Sequence, residues 1–506
     1  MSTVLIDGTT LTYKDIVRVA RYYKNVEIAD EVKKKVDTSR ETVESILTEN
    51  KVFYGVNTGF GHLACVKIPP NELRKLQENL IMSHASGTGD PFPDETVRAI
   101  LLLRANSLAK GFSGVRYELI ETLVDFINHD ICPIVPCQGS LGASGDLAPL
   151  SHLTLALLGK GKVRMHGELI EANEALEKAG ISHLSLMPKE GLGLINGTPA
   201  MTAIGAIATY DAFNLALTAD AVACLSIEAL RGIPDAFSEY VHNARPHPGQ
   251  IECASLIRRL LHGSGLVSAP GELRVQDAYS LRCIPQVHGA TRDVLEYVRK
   301  VVNIEINSAN DNPLIFSDSN VISAGNFHGQ PIAFAMDFLA IALSELGNIS
   351  ERRVERLLNP NLSHLPAFLT EYSGINSGLM IPQYTAAALV SENKVLCTPA
   401  SIDSIPVSAS QEDHVSMGTI AARKGKTVVK NVACILAIEL MCACQAIEFR
   451  GPEKLAPMTR KIYDLVRGVV PRLENDRQLS LDIEEITKLI TEGSILRIIE
   501  TGGSCG

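Results

Sequence analysis

Polar residues suited to catalysis crowd into a few glycine-containing segments: YGVNTGFGH at 54–62, SHASGTGD at 83–90, GSLGASGDLAPLSH at 139–152, NGTPA at 196–200, QDAYSLR at 276–282, SAGNFHGQ at 323–330 and SASQEDHVS at 408–416. Tyr, His, Asn, Arg, Glu and Gln in such loops can move protons, donate hydrogen bonds or hold a carboxylate, and loops are where such groups reach ligands. The most specific of these segments centres on Ala143, Ser144 and Gly145, small residues whose backbone can fold back on itself. A tight bend there could bring the Gly145 amide nitrogen onto the Ala143 carbonyl carbon, and loss of water would close a five-membered ring. Loss of the Ser144 hydroxyl would then leave an exocyclic methylene conjugated to the ring carbonyl, an electrophile that no unmodified side chain supplies. The tripeptide alone equally describes an ordinary small-residue turn.

Other chemistries find little support. A P-loop and a G-x-S-x-G elbow are missing, and GLGLING at 191–197 has the wrong glycine spacing for a dinucleotide fingerprint. His84, His152, His288, His328 and His414 are not organised by an H-E-x-x-H or paired-cysteine pattern, so no metal site is expected. The 11 cysteines are odd in number and include no C-x-x-C, which reads as reduced thiols, mostly small core residues. With 47 Lys+Arg against 57 Asp+Glu the net charge is −10, which argues against a nucleic-acid surface. The absence of Trp and the 5% aromatic content argue against stacking platforms, and 46% apolar residues over 506 positions give a large aliphatic core.

The elements that must position these loops are helices. A period of about 3.6 predicts helices over Asp30–Asn50, Asn71–His84 with Asn71 as N-cap, Asp94–Ala109, Val115–Asn128, Thr198–Leu230, Asp293–Asn303, Gln330–Leu346, Tyr384–Leu396 and Lys426–Phe449. Several are apolar nearly all round, which means burial on more than one side and packing as a bundle. KVRMHGELIE at 162–171 is the best strand signal, an edge hairpin at most. The fold class is therefore mainly α, a long-helix bundle. Composition shifts near Asn196, giving a loop-rich N-terminal part, 1–195, that carries the Ala143-Ser144-Gly145 loop, and a helical part, 196–506; the two can equally form one continuous unit. The start MSTVLIDGTTLTYKD lacks a basic segment followed by an apolar one, so a cytoplasmic protein is expected. The apolar runs 198–229 and 331–349 are interrupted by Asp211, Asp220, Glu228, Asp337 and Glu345 and are expected to fall short of membrane spans.

Taken with its surroundings, GSLGASGDLAPLSH resembles the signature of the aromatic amino acid ammonia-lyase family, which builds a 4-methylideneimidazole-5-one prosthetic group (MIO) from Ala-Ser-Gly. The likeness continues in order through YGVNTGFG, NLIMSHASGTG, LINGTPA, VQDAYSLRCIPQVHGA, DNPLIF, GNFHGQP, LPAFL, INSGLMIPQ, AAALVSENK and QEDHVSMG. It implies an almost wholly helical homotetramer of the ammonia-lyase/fumarase-like superfamily, active sites combining residues of three subunits, a group formed autocatalytically from Ala143, Ser144 and Gly145, and no required metal. Ser83-His84 resembles the pair found in histidine-acting members, where phenylalanine lyases have Phe-Leu and tyrosine lyases His-Leu. Glu412 replaces the Gln usual in those two groups and suits a cationisable ring or the substrate ammonium.

The implied reaction is deamination of L-histidine to trans-urocanate and ammonia, the first step of histidine degradation. By resemblance Tyr54 takes the β-proton, a role that needs a lowered pKa or a concerted transfer. Asn196 helps form the prosthetic group and polarises its oxygen, Tyr279 lies near it, and Arg282 clamps the substrate carboxylate. His84, Gln276 and Phe327 line the binding pocket. The alternatives are a tyrosine or phenylalanine lyase, a 2,3-aminomutase, and a catalytically inactive helical scaffold. Retention of Tyr54, Ser144, Asn196 and Arg282 together argues against the last.

Overall fold

The computed structural model describes residues 3–49, 52–316 and 320–501; Asn50, the expected end of the first predicted helix, and Cys505 lie outside them. The protein is 61% helical, as the mainly α reading expected. Helix Asp94–Ala109 has the predicted bounds, opening after Pro93, and its residues from Thr96 to Ala109 are all buried. Asn71 does not cap its helix: it lies in a 3-10 turn, Pro70–Glu72, and the helix proper is Leu73–His84. The helices predicted over 293–303 and 330–346 extend to Ile284–Ile306 and Gln330–Leu358, because tertiary packing carries them past the strongest periodicity.

The hairpin at 162–171 forms as Lys162–Met165 and Glu168–Glu171, turning through His166 and Gly167 at positive φ. It is more than an edge pair, since Ile131–Pro133 adds an antiparallel third strand against Lys162–Met165. Three helices, Pro199–Ala229, Gln330–Leu358 and Gly418–Glu448, are long and apolar enough to cross a membrane by length and composition, because in each an 18-residue window avoids all but at most two charges. The first two correct the sequence expectation of shorter apolar runs. Their apolar windows are 83%, 67% and 83% buried within the protein.

The chain divides into two compact units that interleave in sequence. One comprises Met1–Tyr210, Arg299–Asp337 and Pro399–Arg423; the other comprises Asp211–Val298, Phe338–Thr398 and Lys424–Gly506. Compactness thus partitions the chain differently from the compositional shift near Asn196. In the first unit, helices Leu73–His84, Leu147–Leu157 and Glu190–Ile195 pack against one another pairwise. Gln77 Oε1, fully buried, accepts from Gly191 N at 2.9 Å and locks the first to the third. In the second unit, fully buried Arg353 grips Glu439 at 2.5 and 2.8 Å, and Ser226 and Ser350 donate to the same carboxylate at 2.7 and 2.6 Å. Asp220, Cys253 and His288 group their donor atoms within 4.8 Å there, a cluster the sequence did not reveal, and Asp220 is also paired with Arg292.

Candidate active site

The three mutually packed helices of the first unit each deliver one residue from an end. His84 is the last residue of its helix, Ser144 lies three positions before Leu147, and Asn196 caps the end of Glu190–Ile195. With Tyr54, Phe327 and Glu412 they line one cavity of about 850 Å³. Six expected site residues from separate segments thus meet in a single unit.

Ser144, at the centre of the bend 143–145, is among the residues lining this cavity. Asn196 Nδ2 donates to the Ser144 carbonyl oxygen at 2.8 Å and Gly197 N donates to it at 3.3 Å. Gly145 has φ +77°, and a Cβ placed on it would lie 1.9 Å from the Gly197 oxygen, so only glycine fits. The bend is held from below by Asp146. Its N–H donates to Gly197 O at 2.6 Å, and its buried carboxylate accepts from Met201 N at 2.9 Å, Ser140 Oγ at 3.1 Å and Thr419 Oγ1. Burial raises the Asp146 pKa, and those hydrogen bonds counter the rise. A bend of small residues with Gly145 at positive φ and the middle carbonyl held by two donors fits the MIO group, whose ring keeps the Ser144 carbonyl.

Glu412 accepts a hydrogen bond from the Ser144 side chain, and burial lifts its carboxyl above the ordinary range. Its loop approaches closely because Gly61 carries no side chain: a Cβ there would sit 2.6 Å from Ser408 Oγ. Ser408, Ala409 and Ser410 all adopt positive φ, a costly turn that the surrounding packing must hold. Tyr54 Oη accepts from Gly61 N at 3.4 Å. Burial pushes the Tyr54 phenol above its usual pKa, and nearby Glu412 adds to the rise. Burial thus works against a lowered Tyr54 pKa, one of the two routes open to it as base. Burial pulls His84 below its usual value, which favours the neutral ring. Its Nδ1 lies 3.0 Å from Ser83 Oγ.

Gln276, Tyr279 and Arg282 belong to the second unit and are not among the residues lining this cavity. Tyr279–Arg282 forms one helical turn, which stacks the Arg282 guanidinium 4.6 Å from the Tyr279 ring centre. Tyr279 is 70% exposed, and the buried Arg282 Nε finds no partner among the described residues. The cavity also contains residues that sequence reasoning gave no role: Asn79, Asn312, Ser323 and Gln411. Asp146 stood inside the quoted signature, and its signal was an acid directly after three small residues. Arg104, which donates to Asn196 O at 2.8 Å, had one faint signal, a cation in the apolar stretch of the helix Asp94–Ala109, which also carries Arg98.

A helical fold with a glycine-hinged Ala-Ser-Gly bend beside a cavity lined by Tyr54, His84, Asn196 and Glu412 defines a lyase class. The chain belongs to the aromatic amino acid lyase family, whose model matches residues 11–468. This family uses the MIO group. The chain is 55% identical over 504 residues, 99% of each chain, to the histidine ammonia-lyase of Caldanaerobacter subterraneus subsp. tengcongensis. Among solved structures it is similar to the histidine ammonia-lyase of Trypanosoma cruzi, with TM-score 0.93, 44% identity and coverage of 99% and 96% of the two chains. It is also similar to the tyrosine aminomutase of Streptomyces globisporus, with TM-score 0.96, 41% identity and full coverage of both.

Proposed function

We propose that the chain is a histidine ammonia-lyase, a carbon-nitrogen lyase that converts L-histidine to trans-urocanate and ammonia. The observation that carries this reading is the two-donor grip on the Ser144 carbonyl within a cavity that also holds His84 and Glu412. Ala143, Ser144 and Gly145 are the source of the MIO group, which supplies an electrophile toward the substrate. Asn196 and Gly197 hold the oxygen through which that group is polarised. His84, neutral, hydrogen-bonds the substrate imidazole, and Glu412 stabilises its cationic form. Phe327 packs the ring. Tyr54 takes the β-proton in a concerted transfer, passing its own phenolic proton to solvent water as it accepts, a route consistent with its raised pKa. Loss of solvent exchange at the β-carbon in Tyr54→Phe checks this role, and retained exchange defeats it.

Initial rates of ammonia release from L-histidine, L-tyrosine and L-phenylalanine, with product identification, test the substrate. Histidine yields trans-urocanate, and Glu412→Gln lowers kcat/KM for histidine by roughly 10- to 100-fold, the scale of a lost charge-assisted hydrogen bond, while leaving the aromatic substrates little changed. A β-amino acid product identifies an aminomutase instead, and activity confined to tyrosine or phenylalanine overturns the roles given to His84 and Glu412.

Arg282 clamps the substrate carboxylate as a bidentate fork, Gln276 hydrogen-bonds the substrate, and Tyr279 approaches the MIO group. These three reach the cavity from another copy of the chain in a homotetramer. The exposure of Tyr279 and the unpartnered Arg282 Nε support this arrangement. Tyr54→Phe and Arg282→Met, each inactive alone, regain part of the activity when co-expressed, because some mixed sites then contain both native residues. No recovery in a mixed oligomer shows that each site is built from a single copy.

A further inference from the structure

Arg104 is wholly buried inside the helix Asp94–Ala109, yet it has no carboxylate of its own. The nearby acid, Asp311, bonds Lys189 Nζ at 2.8 Å. Arg104 Nε and Nη2 meet no acceptor among the described residues, and Nη1 donates to the Asn196 carbonyl oxygen at 2.8 Å. Burial lowers its pKa to about 10, so the group stays cationic at neutral pH. A buried cation that must share Asp311 with Lys189 is costly, and the placement of its one hydrogen bond points to what it does.

The Asn196 carbonyl is one end of a peptide unit whose other end, the Gly197 N–H, donates to the Ser144 oxygen. Hydrogen bonds linked in this way polarise one another, and a charged donor strengthens the chain. The close approach depends on Gly197. A Cβ there would lie 2.8 Å from Arg104 Nη1 and 2.4 Å from Asn310 Oδ1, at a φ of +140°. We propose that Arg104 is a positioning residue that acts through the Asn196–Gly197 peptide to draw electron density from the Ser144 carbonyl, raising the electrophilicity of the group formed from Ala143, Ser144 and Gly145. This rests on the reading above that the group forms.

The test uses the full chain and needs no substrate turnover. Arg104→Lys keeps charge and donor, Arg104→Gln keeps a donor without charge, and Arg104→Met keeps neither. Intact mass and ultraviolet difference absorbance report formation of the group, and bleaching of that absorbance by sodium borohydride reports its electrophilicity. Bleaching slows about tenfold in Arg104→Met, less than loss of a direct donor would give. Arg104→Gln falls between, Arg104→Lys approaches wild type, and the absorbance maximum moves to shorter wavelength in the same order, whatever the order of Tm. A group that fails to form in folded Gln and Met variants but forms in Lys supports the same role, since polarising the Ser144 carbonyl also acidifies the Gly145 N–H. Wild-type band and bleaching rate in Arg104→Met overturn the proposal, as do Gln and Met variants that do not fold, which make Arg104 a structural requirement. If wild type itself shows neither mass deficit nor absorbance, the reading of the prosthetic group fails instead.

Discussion

Ser144→Ala abolishes turnover, lowering kcat by roughly 10³-fold or more, the scale seen when a group that acts as a unit with its neighbours is removed. The reason is chemical. The exocyclic methylene derives from loss of the Ser144 hydroxyl, and alanine has none to lose. The fold survives, because the contacts that shape the bend are made by its backbone: Asn196 and Gly197 hold the Ser144 carbonyl oxygen, and Asp146 N reaches Gly197 O. The Ser144 side chain contributes the bond to Glu412, so the expected change in stability is within about 0.5 kcal/mol. Ammonia release, intact mass and the ultraviolet difference spectrum check this together. Wild type is lighter than its sequence by two waters, and the variant cannot lose the one that comes from the hydroxyl. Equal rates and equal spectra in the two proteins would refute the assignment of Ser144.

Much of the site was legible because its residues break the apolar pattern in ways a loop does not need. Tyr54, His84, Ser144 and Asn196 stand beside glycines or small residues, Phe327 and Glu412 lie two residues from one, and the structure shows the use of such a residue at two places. Gly61 admits the Glu412 loop, and Gly145 admits the Gly197 backbone. The convergence of six distant segments was not legible, since it depends on three helices packing pairwise. One of these, Leu147–Leu157, carries apolar residues nearly all round and a proline in its first turns, so it had no periodic face to announce it. Outside the 162–171 hairpin the short strands escaped for a related reason: at two to four residues they are too brief for alternation to register. Arg104 left only a faint signal, because a buried cation inside an apolar helix differs from its neighbours by a single letter.

Asn196→Ala is expected to lower kcat by about 10²- to 10³-fold, the cost of removing one donor from a site where charge develops, with KM for histidine changed far less. The substitution removes little else. Asn196 is buried, but its N–H still bonds Leu192 O at 3.0 Å, its carbonyl still accepts from Arg104, and Gly197 N still reaches the Ser144 oxygen. One of two donors to that oxygen therefore remains, which keeps the variant above Ser144→Ala in activity. Asn196→Asp is worse than Asn196→Ala, because a carboxylate there cannot donate and places negative charge against the carbonyl that must be polarised. Steady-state kinetics with the difference spectrum separate the two roles of this residue. A variant that keeps the full absorbance but loses kcat assigns Asn196 to polarising the formed group. Loss of kcat in proportion to lost absorbance assigns it to ring closure alone, and an unchanged kcat removes it from the mechanism. The geometry favours the first outcome, since a 2.8 Å bond to the Ser144 oxygen is aimed at the atom that remains a carbonyl after the ring has closed.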